Sequence, residues 1–599
     1  MARPPPPRTP SGGRFRDWLA WEQWTILLVA ATVLTAGIDW GLPTQRRIDL
    51  LLAGTTLTTE QRQSLTSVHD SRRESFLEKR AAATKALLSG GEFRSATPVT
   101  QATAVLTEQD KLAGLCSFII NSGDYDEALT YSSLSRMRPS RLDFAPRYFM
   151  YGGAYLYPVG ALLQLLKMSG ALRVTNDYAY YIDRPREMAL IYTTGRALNV
   201  AAFIGTLVVL ARIGRRLGGR GVGSLAMLVY ALSTLPLNQS LVSKPHVYAA
   251  FWSTLSILLA LRYREKPSRR LVLITGVAWG MAVGSSLPCL LMGIVIGSVL
   301  FDGGDANRSA AWFLGAAAAM GVTFIATNPY AVLQWDRYAY EVLGHTSARG
   351  WGYGAAGLGK LAVSLDRLLT RGYCFPVSLV GAITLVGVSI AGGRAARRLA
   401  IATSITLLIS HMLVAASRIT LFTGPMFCLF GAYGLHALNT KLARTPRWVR
   451  AAVLGLLLLP GAAFATIFAV DVIWDEPWYE PTRSWIEAAR LDTGPLIGIC
   501  GAPWDLQLHP ADSPPYPFLN ARVVNLARYE DPSALPDYVI VGVSGEGRER
   551  WGEHPLRPHY ALARVLGYRP HDGWAVRWRT PAPAVAAWVY EPRGTGMPR

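Results

Sequence analysis

The chain has 599 residues, of which 51% are hydrophobic and 17% charged, and its mean hydropathy is +0.22. This composition excludes an ordinary soluble fold and indicates a membrane protein. The net charge of +20 does not indicate nucleic-acid binding. The arginines cluster in short loops between apolar runs, as expected for the cytoplasmic loops of a multi-pass protein.

The apolar runs predict a polytopic α-helical protein with about eleven membrane spans, behind a disordered cytoplasmic tail at residues 1–20. The run from Trp24 to Trp40 is too long, and too far from a small-residue cleavage site, for a removable signal peptide. We therefore expect it to remain as the first span. The other spans are expected at about 191–211, 221–237, 247–262, 271–285, 287–301, 310–327, 374–392, 399–415, 420–438 and 450–470.

Basic clusters predict the orientation. They lie at 212–220, 262–270, 394–398 and 441–450, after the second, fourth, eighth and tenth spans, and hence on one side of the membrane. This indicates a bacterial inner-membrane protein with a cytoplasmic N-terminus and a periplasmic C-terminus. The scheme requires that the apolar stretch 152–168 does not cross, so we predict a re-entrant or juxtamembrane helix there. The alternative is an ordinary span in a topology that breaks the charge rule.

This topology predicts three parts after the tail. They are a transmembrane domain at 21–440, with periplasmic loops at 41–190 and 328–373; the last span with its cytoplasmic lead-in at 441–470; and a small periplasmic α/β domain at 471–599. In the last part we expect a helix at Pro481–Arg490 and buried strands at Leu496–Cys500 and Tyr538–Val543. The first loop opens with a polar helical insertion from Thr59 to Leu88.

Five cysteines show no metal-binding spacing. Cys116 and Cys500 are both expected outside the cytoplasm, so a disulfide between them is left open.

The distribution of ionisable residues favours an enzyme over a transporter. A transporter requires polar groups near the bilayer midplane, whereas the predicted spans contain almost no charge in their middles. Polarity is concentrated at the exported membrane face, where an enzyme meets a lipid-borne substrate. There the pair Asp126-Glu127 leads the amphipathic segment Ala128–Met137. Neighbouring helical residues point about 100° apart, so we expect only one of the pair to face the site. Asp126 leads the amphipathic segment, and we therefore predict that it is the general base for an acceptor hydroxyl. The alternative is that Asp126 caps the helix and Glu127 is a solvated first-turn acid.

Basic residues at the same face are candidates for holding a phosphate leaving group, because ammonium and guanidinium groups neutralise its developing charge. They are Lys244, His246, Arg147, Arg196, Arg337 and Arg418. The alternative for each is a residue that snorkels to the interface. The aromatic segment that follows the acid pair offers Tyr151, Tyr155 and Tyr157 as substrate-lining side chains.

The order of these parts resembles the GT-C superfamily of integral-membrane glycosyltransferases, specifically the bacterial relatives of protein O-mannosyltransferase and lipid A aminoarabinose transferase (glycosyltransferase family 39). The similar segments are DEALTYSSLSRM, YGGAYLYPVGALL, GRALNVAAFIGTLVVLARIGRRLGG, LSTLPLNQSLVSKPH, TNPYAVL, SRITLFTGPMFCLFGAYGL and PTRSWIEAAR. The resemblance implies an inverting transferase that passes a sugar from a polyprenyl-phosphate donor to an acceptor hydroxyl at the periplasmic face. It implies Asp126 as the base, with Glu127 and Asp39 in support.

The chain departs from that family in the outer loop that usually carries a further acid, which here reads Ser243-Lys244-Pro245-His246. This pair of basic residues suits a lipid phosphate better than a divalent metal, which prefers carboxylate oxygens. We therefore expect no cofactor and do not favour a metal. The expected partners are the polyprenyl-phosphate donor, membrane lipids and an unknown glycan, lipid or protein acceptor. The alternative function is a non-catalytic or transport-related protein that binds lipid-linked saccharide in envelope polysaccharide assembly.

Overall fold

The computed structural model describes residues 20–52, 56–68, 70–71, 107–122, 124, 127–146, 148–301, 306–348, 355–413, 420–474, 485, 494–500, 521–526, 535–542, 551–567 and 586–593. These parts are mostly helical, with one five-stranded sheet near the end of the sequence. Three predicted site residues, Asp126, Arg147 and Arg418, lie outside the described residues. So does the predicted helix Pro481–Arg490, apart from Trp485.

Short helices lie in the described parts of the segment predicted as the first exported loop. Together with the first long helix they are α1 (Trp21–Ala36), α2 (Gln45–Leu52), α3 (Glu108–Ile120), α4 (Glu127–Leu134), α5 (Gly153–Met168) and α6 (Ala179–Asp183). Residues 59–68 are also helical and form the described part of the predicted polar insertion; we call them the insertion helix.

The helical bundle follows. Its helices are α7 (Pro185–Ala231), α8 (Thr234–Ser240), α9 (Pro245–Glu265), α10 (Arg269–Ser285), α11 (Met292–Leu300), α12 (Ala306–Thr327), α13 (Pro329–Leu333), α14 (Trp335–Ala348), α15 (Ala355–Arg367), α16 (Val377–Ala391), α17 (Arg394–Leu413), α18 (Gly424–Lys441) and α19 (Arg447–Trp474). Proline starts three of them, since its fixed φ and missing N–H suit the first turn. Helix α7 packs against α1, α9 and α18, and α10 packs against α9 and α12.

Helix α7 is two helices joined at Gly219. That glycine has φ of 86° and ψ of −177°, a backbone conformation that side chains disfavour and glycine permits. The break falls inside the basic cluster 212–220, between the segments predicted as the second and third spans. The predicted turn between those spans is therefore present.

Helix α5 covers the stretch for which we predicted a re-entrant or juxtamembrane helix. Its start is wedged against the bundle, because a Cβ at Gly152 or Gly153 would collide with the carbonyl oxygens of Gly284 and Thr327. Its 16 residues span about 24 Å, less than the roughly 30 Å of a bilayer core. At its far end Met168 is 81% exposed. That α5 does not cross the membrane stays a prediction.

The sheet near the C-terminus contains β1 (Leu496–Cys500), β2 (Arg522–Asn525), β3 (Tyr538–Gly542), β4 (Tyr560–Gly567) and β5 (Ala586–Pro592), in the order β2-β1-β3-β5-β4. Strand β1 is parallel to β2 and β3, and β5 is antiparallel to β3 and β4. The two predicted strands are confirmed as β1 and β3. One face of the sheet joins the hydrophobic core of the bundle through Ile497, Ile499 and Ile540, and the other forms its own cluster around Trp551.

Each predicted span coincides with helical residues. Judged by length and composition, four helices in the described parts are long and apolar enough to cross a bilayer: Pro185–Ala231, Ala306–Thr327, Leu421–Arg444 and Arg447–Val470. Shorter apolar helices lie at Leu287–Leu300 and Val377–Ala391. The polytopic helical class with a small C-terminal sheet agrees with the sequence prediction. The count of eleven crossings stays a prediction.

Cys116 and Cys500 do not form the disulfide that the sequence left open. Both are buried, and neither takes part in a disulfide. Cys116 belongs to the cluster of the bundle, whereas Cys500 lies in the separate cluster on the other face of the sheet.

Candidate functional site

A buried ion pair connects the acid segment to the bundle. Glu127, the first residue of α4, accepts hydrogen bonds from Nε and Nη2 of Arg196 on α7 at 2.9 and 2.7 Å. It also accepts one from the backbone N–H of Ser243 at 2.5 Å. The two side chains are 0% and 1% exposed. The pair therefore ties α4, α7 and the loop before α9 together from inside the protein.

The same guanidinium also contacts the turn that follows α1. Nη1 of Arg196 donates to the carbonyl oxygens of Ile38 and Trp40 at 3.0 and 2.6 Å. Asp39 lies between these two residues. The structure thus brings together Glu127, Arg196 and the backbone on either side of Asp39. Asp39 itself is exposed.

A second ion pair joins Asp124, two residues before the acid pair, to the loop ahead of α9. Nζ of Lys244 lies 2.6 Å from Oδ1 of Asp124 and 2.9 Å from Oδ2. The Lys244 side chain is 0% exposed and that of Asp124 is 25% exposed. Asp124 was missed from the sequence, although the string Asp124-Tyr-Asp126-Glu127 places three acids within four residues. Its contact gives Lys244 a carboxylate partner.

Ser243 is the centre of a buried hydrogen-bond network. Its Oγ accepts from the Tyr131 hydroxyl at 2.9 Å and lies 3.0 Å from the Tyr155 hydroxyl. Asn199 Nδ2 donates to the carbonyl oxygens on either side of Ser243, at 2.5 and 2.8 Å. A Cβ at Gly195 would collide with Ser243 Oγ. Tyr155, predicted to line the substrate, is fully buried within this network.

Residues of α4 and α5 line two cavities. The first has a volume of about 820 Å³ and the second about 360 Å³, both within the range of ligand-binding clefts. Leu129, Tyr157 and Tyr330 line both, so the cavities adjoin at these three side chains. No Asp, Glu, Lys or Arg stands among the described residues of either wall.

The second cavity contains two of the predicted residues. His246 and Tyr151 both line it, with their rings edge to face at 6.3 Å between centroids. The exposed apolar side chains of Leu287 and Leu290 also belong to its wall. This cavity therefore combines an imidazole with an apolar surface that suits lipid.

Arg337 lies behind the wall of the second cavity. Its Nε is 3.3 Å from Oε1 of Glu341, one turn further along α14. Oε2 of Glu341 accepts from the backbone N–H of Phe149 at 2.7 Å, and Phe149 lines the cavity. Arg337 is thus connected to the site through Glu341.

Tyr157 is the predicted residue that faces both cavities. Its hydroxyl donates to the carbonyl oxygen of Phe144 at 3.4 Å. Burial, reinforced by the nearby Tyr330, raises its pKa to about 12. The Tyr157 hydroxyl therefore stays protonated near pH 7 and can donate a hydrogen bond.

The described residues contain no group of three or more His, Cys, Asp or Glu side chains placed to hold a metal ion. The metal requirement and the roles assigned to Asp126, Glu127, Asp39 and the basic residues stay predictions.

No protein-family model matches the sequence, and no curated protein matches it. Among solved structures, the chain is similar to ArnT from Cupriavidus metallidurans bound to undecaprenyl phosphate. The identity is 11%, the match covers 97% of this chain and 100% of that one, and the TM-score is 0.40.

The chain is also similar to the oligosaccharyltransferase AglB from Archaeoglobus fulgidus, in complex with an inhibitory peptide and a dolichol-phosphate. Here the identity is 11%, the match covers 67% of this chain and 63% of that one, and the TM-score is 0.38. The match thus spans less than two thirds of the archaeal protein. For the form of the A. fulgidus enzyme tethered with an acceptor peptide, the identity is 12%, the coverage 77% and 72%, and the TM-score 0.40.

These proteins are GT-C glycosyltransferases, the superfamily that the sequence resembles. At 11–12% identity and TM-scores of 0.40 or less, these matches decide neither the substrate nor the activity of this chain.

Proposed function

We propose that the chain is a membrane glycosyltransferase that transfers a sugar from a polyprenyl-phosphate carrier to an acceptor hydroxyl at the exported face. The observation that carries this proposal is the pair of cavities that adjoin at Leu129, Tyr157 and Tyr330, beside the start of α4. Two substrates bound in them would meet next to the acid segment. Holding both reactants in this way makes their reaction effectively unimolecular.

The donor belongs in the second cavity. Its apolar wall, with exposed Leu287 and Leu290, suits an isoprenoid chain, and His246 supplies a hydrogen-bond donor for the phosphate. Lys244 and Arg196 stand one layer deeper, each beside a carboxylate. In this arrangement they support the phosphate by holding the loop that leads into α9, whose first turn carries His246.

The chemistry is a single displacement. The acceptor oxygen bonds to the anomeric carbon as the bond from that carbon to the phosphate oxygen breaks, which inverts the anomeric centre. Asp126 takes the acceptor proton, and the polyprenyl phosphate leaves with the bonding electrons. A base in this role contributes about two to four orders of magnitude to the rate.

The test is turnover of a labelled polyprenyl-phosphate sugar by the purified full chain in lipid nanodiscs. Asp126→Asn should lower turnover by about two to four orders of magnitude. The matched control is Asp49→Asn, the same change at an exposed residue of α2, which should retain full activity. Equal activity of Asp126→Asn and the parent would retire the assignment and leave Asp126 as a helix cap.

A second function is favoured by the pairing of charges. Glu127 with Arg196, and Asp124 with Lys244, neutralise each other in the resting structure. A protein that binds lipid-linked saccharide without transferring it would show the same cavities and pairs. Saturable donor binding without release or transfer of the sugar, across a panel of polyprenyl-phosphate sugars, would support this alternative.

A further inference from the structure

The described residues that line the first cavity are all uncharged. Its polar lining consists of tyrosines, amides such as Asn121, Gln164 and Asn176, and hydroxyls such as Ser117 and Ser132. A charged ligand in such a place would lose hydration without gaining a counter-charge. A ligand rich in hydroxyl groups would find amide and hydroxyl partners between apolar and aromatic surfaces, which is the usual composition of a ligand cleft.

One short segment forms the outer wall of this cavity. Residues 174–176, Tyr178 and Tyr181 all line it. The Tyr181 hydroxyl donates to the carbonyl oxygen of Thr175 and accepts from its backbone N–H, each at 3.2 Å. The segment is therefore a compact turn, but these bonds are internal and do not attach it to the rest of the protein.

The insertion helix attaches this turn. Oγ1 of Thr66 donates to the carbonyl oxygen of Asn176 at 3.3 Å and accepts from the backbone N–H of Tyr178 at 3.2 Å. At the end of α6, Asp183 receives a bidentate contact from Arg62 with a shortest distance of 3.0 Å. Leu65 between them is fully buried. The insertion helix thus holds the wall at both ends and is anchored in the core.

We propose that the first cavity is the acceptor site for an uncharged, saccharide-bearing molecule, and that the insertion helix determines its specificity by fixing the outer wall at residues 174–181. That the bound molecule is an acceptor rests on the proposed transferase function. Thr66 and Arg62 are positioning residues, since they act on the cavity through the wall.

Binding to the full chain in nanodiscs tests the ligand class. The probes are n-octyl β-glucoside, n-dodecyl β-maltoside and the anionic n-octyl β-glucuronide, with unglycosylated polyprenyl phosphate as an independent probe of the second cavity. We expect the glucuronide to bind at least about tenfold more weakly than the glucoside, because its carboxylate gains no counter-charge. Equal or tighter binding of the glucuronide would overturn the assignment of an uncharged ligand.

Charge reversal tests the positioning role. Arg62→Asp and Asp183→Arg should each raise the exchange rate of the amides at 174–181 and change the ratio of glucoside to maltoside affinity, and the double swap should restore both. Thr66→Val should raise amide exchange by about tenfold, the effect of one or two lost hydrogen bonds. Ser67→Ala, which removes an exposed hydroxyl one residue away, is the matched control and should behave as the parent.

The outcomes separate the two proposals. If the variants leave wall exchange and glycoside affinities at the parental values, the positioning role is wrong, whether or not the chain transfers sugar. If amide exchange at 174–181 and glycoside affinity change as expected but no donor is turned over, the binding site is supported and the transferase assignment is wrong. A change in polyprenyl phosphate affinity as large as the change for glycosides would show general damage and overturn the specificity role.

Discussion

Glu127 is a buried member of the predicted acid pair, and replacing it by Gln tests whether its role is structural. The carboxylate accepts three hydrogen bonds, two from Arg196 and one from the Ser243 N–H, at 0% exposure. A glutamine retains one acceptor oxygen and leaves the guanidinium buried without its counter-charge. Removing one partner of a buried ion pair costs about 3–5 kcal/mol, a large part of the roughly 5–15 kcal/mol that stabilises a protein.

The measurement is the free energy of unfolding of the full chain in mixed micelles, beside donor turnover. The control is Glu265→Gln, which removes an ion pair of similar length, 3.1 Å to Arg216, with Glu265 52% exposed. We expect the control to cost less than about 1 kcal/mol, as surface pairs do. The double variant Glu127→Leu with Arg196→Met should recover about half of the loss, because no buried charge remains.

The reasoning is refuted if Glu127→Gln is as stable as Glu265→Gln. It is also refuted if Glu127→Gln abolishes turnover while the stability stays parental, since that result would make Glu127 a catalytic residue.

Three further predictions concern the ion pair of Lys244, the hydroxyl of Tyr157 and the membrane topology. Lys244→Met and Asp124→Asn should show a coupling energy of about 1–3 kcal/mol in a double-mutant cycle on stability, and a rise in donor KM confined to the Lys244 variant would instead show direct contact with the phosphate. Tyr157→Phe should lower kcat without changing the pH profile, because a group with a pKa of about 12 stays protonated throughout the working range; a profile displaced on its alkaline side would contradict this. A reporter fused after Arg599 should signal the periplasm and one near Arg216 the cytoplasm, and a cytoplasmic C-terminus would show that 152–168 crosses.

The fold was predictable where the information is local. Apolar runs marked the helices of the bundle, Gly219 lies in the basic turn predicted between the second and third spans, and β1 was marked by five consecutive apolar or small residues. Such signals depend on neighbours in the sequence. The bounds differ by a few residues, as for α1, which starts three residues before the predicted span at Trp24 and ends at Ala36, because helix ends depend on caps and on packing.

The site was predictable in its residue types but not in its pairings. Arg196 and Lys244 were both predicted as phosphate ligands because they are cations at the face predicted to be exported. Their partners lie 69 and 120 residues away in the sequence, at Glu127 and Asp124. A local pattern cannot show which carboxylate will neutralise a given cation, since that is decided by how the helices pack.

The pairings also change what each cation can do. A guanidinium held by Glu127 and by two backbone carbonyls cannot move to a substrate without breaking several short hydrogen bonds, and each such bond to a charged group is worth about 1.5–3 kcal/mol. His246 lines the second cavity, where its ring packs edge to face against Tyr151. The segment Ser243–His246, which runs from the loop into the first turn of α9, therefore combines two functions in four residues. Its first half is fixed to α4 by the network around Ser243, and its last residue meets the cavity. A substitution in the first half should consequently alter donor binding through the position of His246, without any contact of its own with the donor.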